Sequence, residues 1–130
     1  MTRRLLIVDD EPDVIELFRQ SFRREVRAGE YDLRFAASGA DALQVLTGSA
    51  GTESILLLCD INMPGMSGLE LLSDVRGRWP QLPVIMITAY GDPANRTRAL
   101  AQGAADFMTK PIDFVELKRR LACVAAGDAP

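Results

Sequence analysis

The chain has 130 residues, of which 48% are hydrophobic and 25% charged, and a formal net charge of −3. That length buries one core without disulfide or metal staples, and the composition excludes a disordered or low-complexity chain. The acidic balance, with no sizeable basic cluster, argues against direct binding of nucleic acid, and no apolar run is long enough to span a membrane.

In chain order, Met1-Thr2-Arg3-Arg4 leads straight into the apolar run Leu5–Val8, too short for a signal-peptide core, which predicts a first strand ending in Asp9-Asp10-Glu11. Pro12 suits a first helical turn, and Val14, Phe18, Phe22 and Val26 at four-residue spacing predict one amphipathic helix. A second strand is predicted over Tyr31–Ala36, a short helix over Gly39–Leu46, and a third strand over Ile55–Cys59, ending in Asp60. Ser67 and Glu70 have capping-box spacing before the next amphipathic run. Val84–Ile87 reads as a fourth strand followed by Thr88, Pro93–Gln102 as a short fourth helix, and Asp106–Met108 as a fifth strand running into Lys110-Pro111. Asp113 with Glu116 repeats the capping spacing, and Phe114, Leu117, Leu121 and Val124 form the apolar stripe of a fifth helix.

Three of these strands are apolar throughout, as expected of parallel strands covered on both faces. Five βα units in succession predict an α/β fold, a doubly wound five-stranded parallel sheet with right-handed crossovers. Residues 1–125 are expected to form one domain and 126–130 a C-terminal tail. Cys59 and Cys123 lie in apolar runs without metal-ligand spacing, so they are expected to be buried thiols in a reducing, cytoplasmic compartment.

In an open sheet of this kind, ligands gather at the carboxyl ends of the strands where the strand order reverses. The polar residues that follow directly on strands are Asp9, Asp10, Asp60, Thr88 and Lys110. Crowded carboxylates repel one another and raise each other's pKa, a conflict that a divalent cation relieves. Carboxylate, carbonyl and water ligands suit Mg²⁺. Asp9 or Asp10 can instead be read as a helix N-cap before Pro12, which leaves the third acid unexplained. An ammonium and a hydroxyl beside a carboxylate nucleophile and a metal describe phosphoryl transfer to aspartate.

Four dispersed segments carry a family resemblance. They are Leu6-Ile7-Val8-Asp9-Asp10-Glu11-Pro12, Cys59-Asp60-Ile61-Asn62-Met63-Pro64-Gly65-Met66-Ser67-Gly68, Val84-Ile85-Met86-Ile87-Thr88-Ala89-Tyr90-Gly91-Asp92 and Gly103-Ala104-Ala105-Asp106-Phe107-Met108-Thr109-Lys110-Pro111. Together, from Leu5 to about Val124, the chain resembles a response-regulator receiver domain of two-component signal transduction. The resemblance implies a flavodoxin-like sheet of order 2-1-3-4-5 and a cis bond between Lys110 and Pro111. It implies that Asp60 is the phosphoacceptor, served by a histidine kinase or histidine phosphotransfer protein, with Thr88 and Lys110 contacting the phosphoryl group. It implies Mg²⁺ bound by Asp10, Asp60 and the backbone carbonyl of Asn62, with Asp9 acting through a water. Thr88 and Phe107 correspond to the family's switch pair, Phe107 turning inward after phosphorylation and altering the helix 4–strand 5–helix 5 surface. From periodicity alone Phe107 reads as a core aromatic.

Asn62 and Tyr90 are expected to tune the lifetime of the acyl phosphate. The output is a downstream effector protein or output domain, and a phosphorylation-dependent homodimer also fits. No direct nucleic-acid or membrane contact is expected, nor any enzymatic role beyond the chain's own phosphoryl transfer and autodephosphorylation. Lys118-Arg119-Arg120 reads as a cationic run near a helix C-terminus, favoured by the macrodipole, with partner contact as the alternative.

Three other readings compete. An aspartyl phosphohydrolase needs a second acid two residues after the nucleophile, where this chain has Asn62. A flavodoxin-like cofactor binder needs a phosphate cradle where this chain has Asp9-Asp10-Glu11. A docking-only receiver usually lacks one of the acidic residues, the lysine or the phosphorylatable aspartate, all present here. The chain stops at Pro130 a few residues past the last predicted helix, which fits either a stand-alone regulator or the receiver part of a larger protein. The cognate kinase, the output and the oligomeric state are not legible in it.

Overall fold

The computed structural model describes residues 2–48, 55–63, 65–89 and 93–125. The expected tail 126–130 and Tyr90 lie outside them. In chain order the elements are β1 (Arg3–Val8), α1 (Pro12–Ser21), α2 (Arg23–Arg27), β2 (Tyr31–Ala36), α3 (Gly39–Gly48), β3 (Ile55–Asp60), α4 (Gly68–Arg78), β4 (Val84–Thr88), α5 (Pro93–Ala101), β5 (Asp106–Thr109) and α6 (Phe114–Ala125). The five strands form one sheet of order β2-β1-β3-β4-β5, with every pair parallel.

The apolar strands are explained by two cores, one on each face. Leu6, Val8, Leu57, Cys59, Val84 and Met86 pack on one side with residues of α3, α4 and α5. Leu5, Ile7, Leu56, Leu58, Ile85 and Ile87 pack on the other with α1 and α6. Successive residues of β1, β3 and β4 alternate between these cores, so their central positions all need an apolar side chain. Burying one such side chain contributes about 1.5–3 kcal/mol.

The expected first helix is broken. Val14, Phe18 and Phe22 are buried, but Val26 is 43% exposed, so it does not extend the stripe. The break falls at Phe22, whose φ of −102° and ψ of 10° depart from helix. Its physical cause is Lys118 of α6, whose ammonium donates to the Ser21 carbonyl at 2.6 Å and pairs with Glu25 at 2.7 Å. A side chain that takes a backbone carbonyl out of the helical ladder bends the helix there. Among the described residues six helices therefore replace the five expected, and the fourth and fifth predicted helices are α5 and α6.

The macrodipole reading of Lys118-Arg119-Arg120 is also corrected. The three residues sit in the middle of α6, whose last turn carries no cation. Arg119 and Arg120 pair with Glu116, and one Arg120 nitrogen bonds both carboxylate oxygens of Asp106 at 3.0 Å. The expected capping signal is complete in α4 and half present in α6. Ser67 and Glu70 form the reciprocal capping box. Asp113 accepts from the Glu116 N–H at 3.2 Å, while the Glu116 carboxylate turns to the two arginines. Cys59 is a buried thiol as expected, but Cys123 is only half-buried.

Candidate functional site

Strand register delivers the polar residues to one edge. Val8 lies opposite Cys59, Asp60 opposite Ile87, and Thr88 opposite Thr109. Ladder hydrogen bonds continue past the strand ends: Asp9 N–H to Ala36 at 3.1 Å, Ile61 N–H to Ile87 at 2.9 Å, and Lys110 N–H to Thr88 at 2.7 Å. The backbone carrying Asp9, Asp60, Thr88 and Lys110 is thus fixed by the sheet itself, on the C-terminal side of β1 and β3, where the order reverses.

Asp9 and Asp60 are buried, with exposures of 4% and 5%, and Thr88 is buried at 3%. The Lys110 ammonium bridges the two acids, at 3.1 Å from Asp9 Oδ2 and 3.3 Å from Asp60 Oδ2, and meets the exposed Glu11 carboxylate at 3.3 Å. The second oxygen of each buried acid takes a backbone donor: Glu11 N–H bonds Asp9 Oδ1 at 2.9 Å, and Asn62 N–H bonds Asp60 Oδ1 at 3.1 Å. Across the site the Asn62 side-chain amide donates to Thr88 Oγ1 over a long 3.5 Å. The Lys110–Pro111 peptide is cis, as expected.

Burial raises the Asp60 pKa and the charge of Asp9 adds to the shift, while the Asn62 N–H and Lys110 oppose it. Burial alone lowers the Lys110 pKa, but the bond to Asp9 and the charges of Asp60 and Asp9 outweigh it and hold the ammonium above its ordinary range. Asp9, Asp10, Glu11 and Asp60 bring four carboxylate oxygens within 4.8 Å of one another. One ammonium does not balance four carboxylates, and an all-oxygen donor set fits a hard divalent cation.

The N-cap reading of Asp9 or Asp10 fails, because the residue at that position of α1 is Glu11, which makes no side-chain cap bond. Phe107 is brought near the site but not into it. It lies opposite Met86, two residues short of Thr88, is 7% exposed, and belongs to the core that includes Ala99. It also lines a cleft of about 480 Å³ between α5, β5 and α6. Ala99 is the buried residue of α5, so that helix is lightly anchored on the sheet.

Two residues escaped the sequence reading. Glu11 shares the lysine and the acid cluster, and its place directly after the aspartates was the available signal. Gly68 lets α4 rest on the end of β3. A Cβ there would meet the Asp60 carbonyl oxygen at 2.4 Å, and its N–H bonds the Ile61 carbonyl at 2.9 Å. That contact joins residues of different elements, so no local pattern reveals it.

Fold and site together define a doubly wound α/β protein with an acidic, lysine-bridged site at the strand-order reversal. The chain belongs to the response regulator receiver domain family, whose model matches residues 5–122, and it is thereby the receiver domain of a response regulator in two-component signalling. It is similar to Response regulator protein PilR of Pseudomonas aeruginosa, 40% identical over 120 residues that make up 92% of this chain and 25% of PilR. Response regulator RppA of Synechocystis is 36% identical over 118 residues, covering 91% of this chain and 48% of RppA. The chain thus spans from a quarter to about half the length of these relatives.

Among solved structures, the receiver domain of NtrX from Brucella abortus superposes with a TM-score of 0.81 at 29% identity, covering 94% of this chain and 98% of that one. A CheY-like response regulator receiver domain protein from Methanospirillum hungatei gives 0.85 at 27% identity, covering 98% and 96%. Among the described residues no helix is long and apolar enough to cross a membrane.

Proposed function

We infer that this chain is a phosphorylation-activated switch in which Asp60 receives a phosphoryl group from a partner histidine kinase or histidine phosphotransfer protein. The observation that carries the reading is the Lys110 ammonium held between buried Asp9 and Asp60, with the Asn62 N–H on Asp60 and its side-chain amide on Thr88. A carboxylate oxygen of Asp60 forms the new O–P bond as the donor's N–P bond breaks. Lys110 and the Asn62 N–H oppose the burial that would protonate Asp60, and so favour the nucleophilic carboxylate. After transfer the ammonium is within reach of the phosphoryl oxygens, and the Thr88 hydroxyl can donate to one of them.

The acid cluster suits Mg²⁺; Asp10, Asp60 and the Asn62 carbonyl would hold it, with Asp9 acting through a water. When bound, the ion supplies charge neutralisation to the transferring group. Asn62, an amide where a hydrolase would place an acid, offers no proton transfer to the leaving group. It and Tyr90 then tune how readily water reaches the acyl phosphate. The chain therefore works as a signal store, with no chemistry beyond its own phosphoryl transfer and autodephosphorylation.

The output runs through the α5–β5–α6 face toward an effector protein or output domain. Phe107 packs opposite Met86, so movement at Thr88 is passed on by packing rather than by a hydroxyl bond. The setting is the cytoplasm, and a phosphorylation-dependent homodimer is compatible with the same face. Intact-mass analysis with acetyl phosphate and Mg²⁺ tests the reading. One phosphoryl group should appear on the wild-type chain and none on Asp60→Asn. Equal labelling of both, or labelling indifferent to Mg²⁺, overturns it.

A further inference from the structure

The helix break creates a second surface, on the flank of the sheet away from β5. Because α1 resets at Phe22, Val26 leaves the core and lies 43% exposed. It floors a groove of about 430 Å³ with Leu33 and Phe35 of β2. Arg19, Arg23 and Arg27 line the same groove, Arg19 lying over the Phe35 ring at 5.2 Å. Neither Arg23 nor Arg27 has a carboxylate partner among the described residues. The one acid lining the groove, Asp32, is paired with Arg34.

The groove runs beside an open backbone edge. Among the described residues β2 is an outer strand, bonded only to β1. Its even-numbered residues face β1, since Glu30 and Ala36 accept from Arg3 and Asp9 at 3.1 Å. In a parallel strand N–H and C=O of one residue point to the same side and alternate along the chain. The N–H and C=O groups of Tyr31, Leu33 and Phe35 therefore point outward, away from the sheet. Leu33 and Phe35 thus supply both an apolar floor and backbone groups that no other described residue pairs with.

We propose that this flank is a docking site for an extended acidic segment of a partner protein, added alongside β2 as a sixth strand. Main-chain bonds to Leu33 and Phe35 give the affinity of strand addition, and alternate side chains are read by the groove. An apolar side chain seats on Val26, Leu33 and Phe35, and flanking carboxylates meet Arg23 and Arg27. Charge selects an acidic partner, and the open backbone edge selects a strand over a lipid surface, which cannot continue a ladder. The site is separate from Asp60 and does not rest on its phosphorylation.

The probe is a fluorescein-labelled peptide of about eight residues alternating valine with glutamate, compared with the same peptide carrying lysine for glutamate. The acidic peptide should bind with an affinity that falls as salt rises, and the basic one should not. Arg23→Glu with Arg27→Glu should weaken binding at least about ten-fold, and Asp32→Asn should tighten it. Amide exchange supplies the register test: bound peptide should slow Leu33 and Phe35 while leaving Asp32 and Arg34 unchanged. Exchange slowed at neither residue, binding indifferent to both arginines, preference for phosphatidylglycerol vesicles, or a concentration-dependent dimer built on this face would each overturn the proposal.

Discussion

Gly68 offers the sharpest test of how the site is built, because one methyl group is expected to have opposite effects at two glycines of the same helix. In Gly68→Ala the new Cβ would lie 2.4 Å from the Asp60 carbonyl oxygen and 2.7 Å from Ile61 Cα. Ordinary contact begins near 3.4 Å, so α4 or the end of β3 must give way by about 1 Å. Both obstructing atoms are backbone, one held in the sheet and the other bonded to Ile87 through the Ile61 N–H. Overpacking against a fixed wall costs about 1–3 kcal/mol, which for a domain of this size lowers Tm by roughly 3–5 °C per kcal/mol.

Gly77 of α4 is exposed, and a methyl group added there would meet nothing within 4 Å. Gly77→Ala should therefore stabilise by about 0.5–1 kcal/mol through helix propensity and reduced freedom of the unfolded chain. Thermal melting followed by circular dichroism reads both. Gly68→Ala should also slow acetyl phosphate labelling of Asp60, since the backbone that moves is the one carrying the acceptor. Equal Tm changes of one sign in the two variants would refute the close-approach argument.

The pH dependence of stability follows from Asp60. Unfolded, it ionises near about pH 3.9; folded, burial and Asp9 raise that value. Between the two values the folded state holds the extra proton, so stability falls as pH rises through the window. Asp60→Asn should remove that fall and melt higher than the parent above the window, and added Mg²⁺ should raise the parent's Tm but barely the variant's. A variant with the parent's slope in calorimetry across this range would count against it. Cys59 is 1% exposed, and burial, with Asp60 and Asp9 beside it, pushes its thiol well above the ordinary range. Iodoacetamide should therefore modify half-buried Cys123 first in the folded protein and both thiols in urea, as peptide mapping will show. Arg120→Ala strips Asp106, whose side chain is 12% exposed, of its cationic partner and leaves it the Phe107 N–H. The loss should be roughly 2 kcal/mol in urea titration, with part regained by adding Asp106→Asn; an unchanged midpoint would show the pair to be idle.

Much of the fold is written locally. Unbroken apolar runs such as Leu5–Val8 and Ile55–Cys59 announce strands covered on both faces, and the Ser67 and Glu70 spacing announces the start of α4. Asp60 and Thr88 end strands and Asp9 and Asp10 follow one, so their arrival at one edge was legible once the alternation of strands and helices implied a parallel sheet. The first helix was misread because its break comes from Lys118, distant in sequence, and periodicity cannot see a carbonyl taken by another element.

The sequence by itself therefore determined which residues form the sheet and which polar groups cap its strands, because apolar period and capping act over a few neighbouring residues. Tertiary structure alone decided that Lys110 sits between Asp9 and Asp60, that Glu11 joins them, that Gly68 must lack a side chain, and that Val26 faces outward beside an open strand edge. Each of those depends on distances between elements, which are fixed only when the two cores close on the sheet.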